Sequence, residues 1–289
     1  MLAATTTTET GARPVRAGRR LRLPAWLGTT PFLAYVGIFL LLPTGIVVVN
    51  AFRNPSGGLN LSSLKLLFSS TTSSYFIGSF QLCLISSALG AVLGAILAYA
   101  IASGDPDGMV RRLYIAVSGV LAQFGGVTLA FAFLVTIGPV GLLFHASWYY
   151  SFPWGIAVIY AYFQVPLMVL VFLPAIDGVK VQWREASESM GASSWQYWRY
   201  VGGPLLTPAF LGAALLLFAN ALSAFATIVA WENQIAYIVP QQIYVAINSE
   251  VGLSNVNEAD VLALGMIIMV AIVMTGYVLL QRRAARWLR

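Results

Sequence analysis

Glu185, Ala186, Ser187, Glu188, Gly191 and Ala192, followed by Pro204, form a polar island between two long apolar runs. Two carboxylates on a short helical stretch closed by a glycine suit charge-assisted contact with another protein rather than bond-making chemistry. A second set of polar side chains lies inside the apolar runs themselves: Gln81, Gln123, Tyr160, Tyr162, Gln164, Asn220 and Ser223. Amides and hydroxyls in hydrocarbon either hydrogen-bond between helices or line a hydrated path. The sequence leaves both open for each of them.

Catalytic and metal-binding patterns are missing. No G-x-x-x-x-G-K-S/T occurs, and neither of the two lysines, Lys65 and Lys180, follows a glycine-rich loop, so the chain has no P-loop for ATP. The single histidine, His145, excludes H-E-x-x-H and histidine-rich metal sites. It sits between Phe144 and Ala146, and no glycine-flanked serine in a turn offers it a nucleophile, which disfavours an intramembrane serine hydrolase. Cys83 is the one cysteine, so no internal disulfide forms. No catalytic residue, metal ligand or cofactor is assigned to this chain.

The elements that must position these residues follow from hydropathy. The chain has 289 residues, of which 59% are hydrophobic and 9% charged, with mean hydropathy +0.81. Soluble domains carry roughly 25% charged residues, so the bilayer is the expected solvent. Six runs are long enough to cross it: 31–50, 76–102, 114–137, 152–176, 205–230 and 261–280, none with Asp, Glu, Lys or Arg. An all-α polytopic membrane protein with six transmembrane helices is expected, with residues 31–281 as the membrane domain, a basic tail at 1–30 and another at 282–289. The uncharged spans disfavour an ion-coupled carrier, which needs ionisable groups in the membrane.

Of the 16 basic residues, 14 fall in the first tail, the loops after spans two and four, and the last tail; only Arg53 and Lys65 fall on the other side. By the positive-inside rule both termini and the 177–204 loop are expected in the cytoplasm. The segment 232–260 then faces out with four acids and no base. It is too polar to span, and its stretch 235–247 suits a gate or a membrane-surface segment. The first apolar run starts too late and is too long for a signal-peptide core. Gly90 and Gly94 form a G-x-x-x-G that permits close helix approach.

Within the loop, Trp183, Ala186 and Met190 recur at the spacing of one helical face. Arg184 and Glu188 stand four apart and can pair, and Gly191 can end the helix in the left-handed conformation. Ser193 and Gln196 make a capping box for a second, aromatic-rich helix, which Gly202-Gly203-Pro204 is expected to interrupt.

Glu185-Ala186, Gly191 six residues after the glutamate, Val201 ten further on and Pro204 three beyond resemble the EAA loop of the membrane subunits of binding-protein-dependent ABC importers. Ser187 stands in place of the second alanine, Val201 of isoleucine and Gly203 of leucine. The resemblance implies a type I ABC importer permease fold, with a coupling helix at about 184–192 that docks in a cytoplasmic ATPase. Glu185, Ala186, Ser187, Glu188, Gly191, Ala192 and Pro204 would carry that contact. It further implies a non-catalytic subunit: ATP and Mg are bound by the ATPase dimer, a second permease completes the path, and an extracytoplasmic binding protein delivers the solute in a prokaryotic plasma membrane. The stretch 220–227 and the 238–244 segment are similar to permeases of the polyamine, aminoethylphosphonate, thiamine and ferric-ion group, which points to a related pair of permeases rather than a homodimer. A sugar importer permease is the alternative, a stand-alone channel or carrier a more distant one.

Overall fold

The computed structural model describes residues 25–53, 58, 62–139, 141–143, 147–231, 238–248 and 254–285. His145, Glu232, Glu250 and the arginines at 13–22, 286 and 289 lie outside the described residues, as do the side chains of Arg282 and Arg283. Most of the described residues are helical, and the chain falls into two units, Met1–Ile46 and Val47–Arg289.

The first unit holds helix α1 (Ala25–Val36), a five-residue π turn at Gly37–Leu41 and the start of α2 (Leu42–Ala51). Together Thr29–Ala51 is long and apolar enough to cross a bilayer.

The second unit is built on α3 (Ser70–Ala102), α4 (Met109–Gln123), α5 (Gly126–Ile137), α6 (Trp154–Asp177), α7 (Val181–Ser189), α8 (Ser194–Tyr197), α9 (Gly203–Ser223), α10 (Phe225–Ala230), α11 (Val239–Asn248) and α12 (Ser254–Ala285). α3, α6 and α9 make its centre. Their facing side chains form one buried cluster around Leu82, Ile159, Tyr160 and Phe218 and a second around Ala98, Met168, Val169 and Leu217. Lipid offers apolar side chains no reason to leave it, so close packing must hold such helices together. α3 meets that need with small residues turned to α6: a Cβ built on Gly90 would stand 2.6 Å from Cβ of Gln164, and one on Gly94 2.4 Å from Cβ of Met168.

Among the described residues, five helices can cross a membrane by length and composition, six if α4 and α5 form one span. The expected count is therefore reached, but two expected spans are not continuous. Run 114–137 bends by 99° between Gln123 and Gly126. Run 205–230 breaks at Ala224 (φ −78°, ψ 53°), which separates α9 from α10. The expected interruption at Gly202-Gly203-Pro204 is absent. Ser194–Ser223 runs as one helical segment through a π turn at Trp198–Gly202, where the Gly203 N–H reaches back to the Trp198 carbonyl. Pro204 directly follows the π turn, so the backbone N–H that the continuous segment lacks falls where the helical bonding is already irregular.

Candidate functional site: a capped loop helix and a cleft between broken spans

The polar island folds as two short helices at one end of the bundle. α7 covers Val181–Ser189, three residues earlier at each end than the expected 184–192. Its end is set by Gly191, whose φ of +80° only glycine adopts without strain. Gly191 N–H donates to the Glu188 carbonyl at 2.9 Å and Ala192 N–H to the Ser187 carbonyl at 3.0 Å, the paired bonds of a Schellman stop. Ser193 then opens α8 with both halves of the capping box: Gln196 N–H donates to Ser193 Oγ at 3.3 Å, and Ser193 N–H to Gln196 Oε1 at 2.7 Å.

α7 presents its side chains to its surroundings. Glu185, Ala186 and Glu188 are exposed, and so is the apolar face, with Trp183 41% and Met190 82% exposed. Ser187 is the exception: it is buried, and its hydroxyl donates to the Arg184 carbonyl at 2.8 Å. Arg184 Nε donates to Glu188 Oε1 at 2.9 Å, and that bond raises the pKa of the guanidinium. Glu185 is thus the carboxylate of α7 whose neighbour four residues on, Ser189, returns only a hydroxyl to its carbonyl. Gly191 and Pro204 are exposed and Ala192 is half-buried. Before α7, Asp177 at the end of α6 is ion-paired with Arg111 of α4, which ties the root of the loop to a second span.

Of the seven polar residues in the apolar runs, three meet at one place. Gln123, Asn220 and Ser223 line a cleft of about 250 Å³, together with Gly125, Gly126, Phe163, Ala224 and Thr227. The cleft sits where both spans break, so the ends of α4 and α9 and the beginnings of α5 and α10 form its wall. Among the described residues, no charged side chain lines it. Gly126 takes φ +74°, which lets the chain turn sharply into α5.

The other four lie elsewhere. Tyr160 is fully buried in the core and its hydroxyl donates to the Ala224 carbonyl at 2.6 Å, directly behind the cleft. Tyr162 is half-buried and packs edge-on against Phe133 of α5, centroids 5.7 Å apart. Gln164 is fully buried between α3 and α6; its Nε2 donates to Ser86 Oγ at 3.4 Å and its Oε1 has no partner among the described residues. Gln81 is exposed on α3.

The sequence reading missed Gly125, Gly126 and Thr227 as members of the cleft. Two adjacent glycines inside an apolar run are a visible signal for a broken span. At Ala224 neither glycine nor proline marks the break, so no such signal exists. Segment 235–247 resolves in part into α11, which packs on α12; its Val239 N–H donates to Ser79 Oγ of α3 at 2.9 Å, and its Tyr244 ring contacts Phe225 of α10.

No protein-family model matches the chain. It is 25% identical over 232 residues to the sulfate transport system permease protein CysT of Escherichia coli K12, covering 74% of this chain and 78% of that protein. It is 24% identical over 149 residues to the molybdenum transport system permease protein ModB of the same organism, covering 48% and 65%. The trehalose transport system permease protein SugB of Mycobacterium tuberculosis is 26% identical over 183 residues, covering 63% of this chain and 60% of that protein. Among solved structures, a bacterial ABC transporter that imports alginate aligns with TM-score 0.68 at 18% identity, over 89% of this chain and 94% of that one. The MetNI methionine ABC transporter aligns with TM-score 0.55 at 16% identity, over 78% and 99%. The helical architecture described above is the fold of these importer membrane subunits.

Proposed function

We propose that this chain, a multi-pass permease subunit of the ABC-importer type, forms half of the translocation path for a small polar solute and takes its driving force through α7. The observation that carries the reading is α7 itself. A helix of nine residues, capped at its C-terminus and followed by a second capped helix, leaves Glu185 and the Trp183–Met190 face exposed at the end of a membrane bundle. An apolar stripe beside a carboxylate is what a cleft on a partner protein would bury.

In this reading the loop end faces the cytoplasm, where most of the basic residues lie. An ATPase dimer binds ATP and Mg, closes, and moves α7. The chain itself performs no catalysis. A second, related permease completes the path, and an extracytoplasmic binding protein delivers the solute to the far side. The alginate transporter that aligns with this chain was also solved with a substrate-bound periplasmic protein, which supports such an assembly. The path runs past Gln123, Asn220 and Ser223.

The solute we favour is a polyamine, an aminoethylphosphonate or a similar small polar molecule, on the resemblance of the 220–227 stretch. A second reading, an oxyanion, is favoured by the likeness to a sulfate permease over 74% of the chain. Thermal unfolding of the co-encoded binding protein in the presence of spermidine, aminoethylphosphonate, sulfate or trehalose separates these. For the coupling role, Glu185→Lys in the assembled transporter should leave the chain inserted and uncouple ATP hydrolysis from uptake. Uptake at the parent rate with tight coupling would overturn the docking role of α7.

A further inference from the structure

Two spans are broken beside the same cleft, and every helix break strands main-chain donors and acceptors that membrane interiors do not forgive. Two buried side chains meet two of these groups. At the first break, Gly126 N–H at the start of α5 donates to Thr227 Oγ1 of α10 at 3.0 Å, and Thr227 is 1% exposed. At the second break, the Ala224 carbonyl accepts from the Tyr160 hydroxyl of α6 at 2.6 Å. Each brace crosses between elements distant in sequence.

A second tie links the end of α10 to the first turns of α5 through Tyr149. α10 leads into Trp231, whose indole N–H donates to the Tyr149 carbonyl at 3.2 Å. The Tyr149 hydroxyl donates in turn to the Ala130 carbonyl of α5 at 3.3 Å. α5 and α10 are therefore held to each other at two places, directly at Gly126–Thr227 and through Tyr149, while the helical backbone between each of them and its parent span is interrupted at Phe124–Gly125 or Ala224.

We infer that Thr227 and Tyr160 are the positioning residues of the cleft: Thr227 locks α5 to α10, Tyr160 pins the turn at Ala224 to α6, and the cleft opens and closes as α5 and α10 move as one body. This rests on the reading that the cleft belongs to the path. Loss of the Thr227 hydroxyl leaves the Gly126 N–H unpaired and lets the two half-helices move separately, whereas loss of the Tyr160 hydroxyl leaves the Ala224 carbonyl unpaired and frees the turn from α6.

The test uses the full chain with its co-expressed partners in membrane vesicles, carrying Cys83→Ala and Ser223→Cys. The probe is the rate at which a charged, membrane-impermeant methanethiosulfonate reagent modifies the new thiol, with and without ATP plus vanadate. Thr227→Val keeps the shape and removes the hydroxyl; Thr227→Ser keeps the hydroxyl; Tyr160→Phe removes one oxygen. Thr227→Val and Tyr160→Phe should each change the modification rate about five- to tenfold, the population shift that loss of one hydrogen bond produces, and should flatten its dependence on nucleotide. Thr227→Ser should restore the parent pattern. If Thr227→Val does not assemble, Tyr160→Phe against its parent decides the matter alone. Parent rates in both hydroxyl-deletion variants overturn the positioning role and leave the path reading standing. A thiol that reacts in neither nucleotide state of the parent overturns both.

Discussion

Gly94 lies against Met168 so closely that a Cβ on the glycine would stand 2.4 Å from the Cβ of the methionine, with the Val165 carbonyl 2.7 Å away. One turn earlier, Gly90 makes the same approach to Gln164. The two glycines bring the α3 and α6 backbones together, and the bundle that carries both the cleft and α7 is assembled on that contact.

Gly94→Val should therefore destabilise the subunit by about 2 kcal/mol or more, because neither the Val165 backbone nor a Cβ can move aside as a flexible chain end would. Gly119→Ala on α4 is the control: its added Cβ meets nothing within 4 Å, and the change should stay within about 0.5 kcal/mol. Thermal unfolding in detergent compares the two.

Gly191 is constrained differently. A Cβ there touches nothing within 4 Å, yet φ is +80°. Gly191→Val should raise the local energy by about 1–2 kcal/mol through backbone strain alone and shift the end of α7. Gly191→Asn should be better tolerated. The readout is the number of ATP molecules hydrolysed per solute imported, which should rise in the valine variant and stay near the parent value with asparagine.

The Arg111–Asp177 ion pair joins α4 to the root of the α7 loop, with side chains 12% and 40% exposed. Solvent at Asp177 weakens the pair, so Arg111→Ala should lose about 1 kcal/mol. A double-mutant cycle with Asp177→Asn should show coupling between the two positions. Strict additivity in that cycle would remove the tie.

Asn220→Leu and Ser223→Leu replace hydrogen-bonding groups in the cleft with bulk. Uptake should fall about tenfold, as when a polar contact and its water are both lost, while the subunit still assembles. Gln81→Leu, on an exposed part of α3 away from the cleft, should leave uptake unchanged. Equal uptake in all three would place the path elsewhere.

Much of this molecule is legible along the chain. The apolar runs locate the spans because burial in lipid is a local property of about 20 residues. Gly191 and the Ser193–Gln196 pair announce one helix end and the next helix start, because caps form between residues three to five apart. The breaks are less visible. Gly125-Gly126 marks one, whereas Ala224 sits in an apolar run with no helix breaker, and the hydroxyl that meets its carbonyl belongs to Tyr160, 64 positions away. The Gly202-Gly203-Pro204 triplet errs in the other direction: it reads as an interruption, but a π turn absorbs it into a continuous helix.

The sequence by itself determined the membrane setting, the positions of the apolar runs, the charge asymmetry across them and the design of the α7–α8 loop, since each depends on neighbours within a few turns of helix. Only the tertiary structure decided which polar residues share a cleft. Gln123 and Asn220 are brought together because two spans break beside one cleft, and Thr227 reaches Gly126 across 101 positions of chain. Such contacts arise from how helices pack, and hydrophobic periodicity carries no record of which face of one span will meet which break in another.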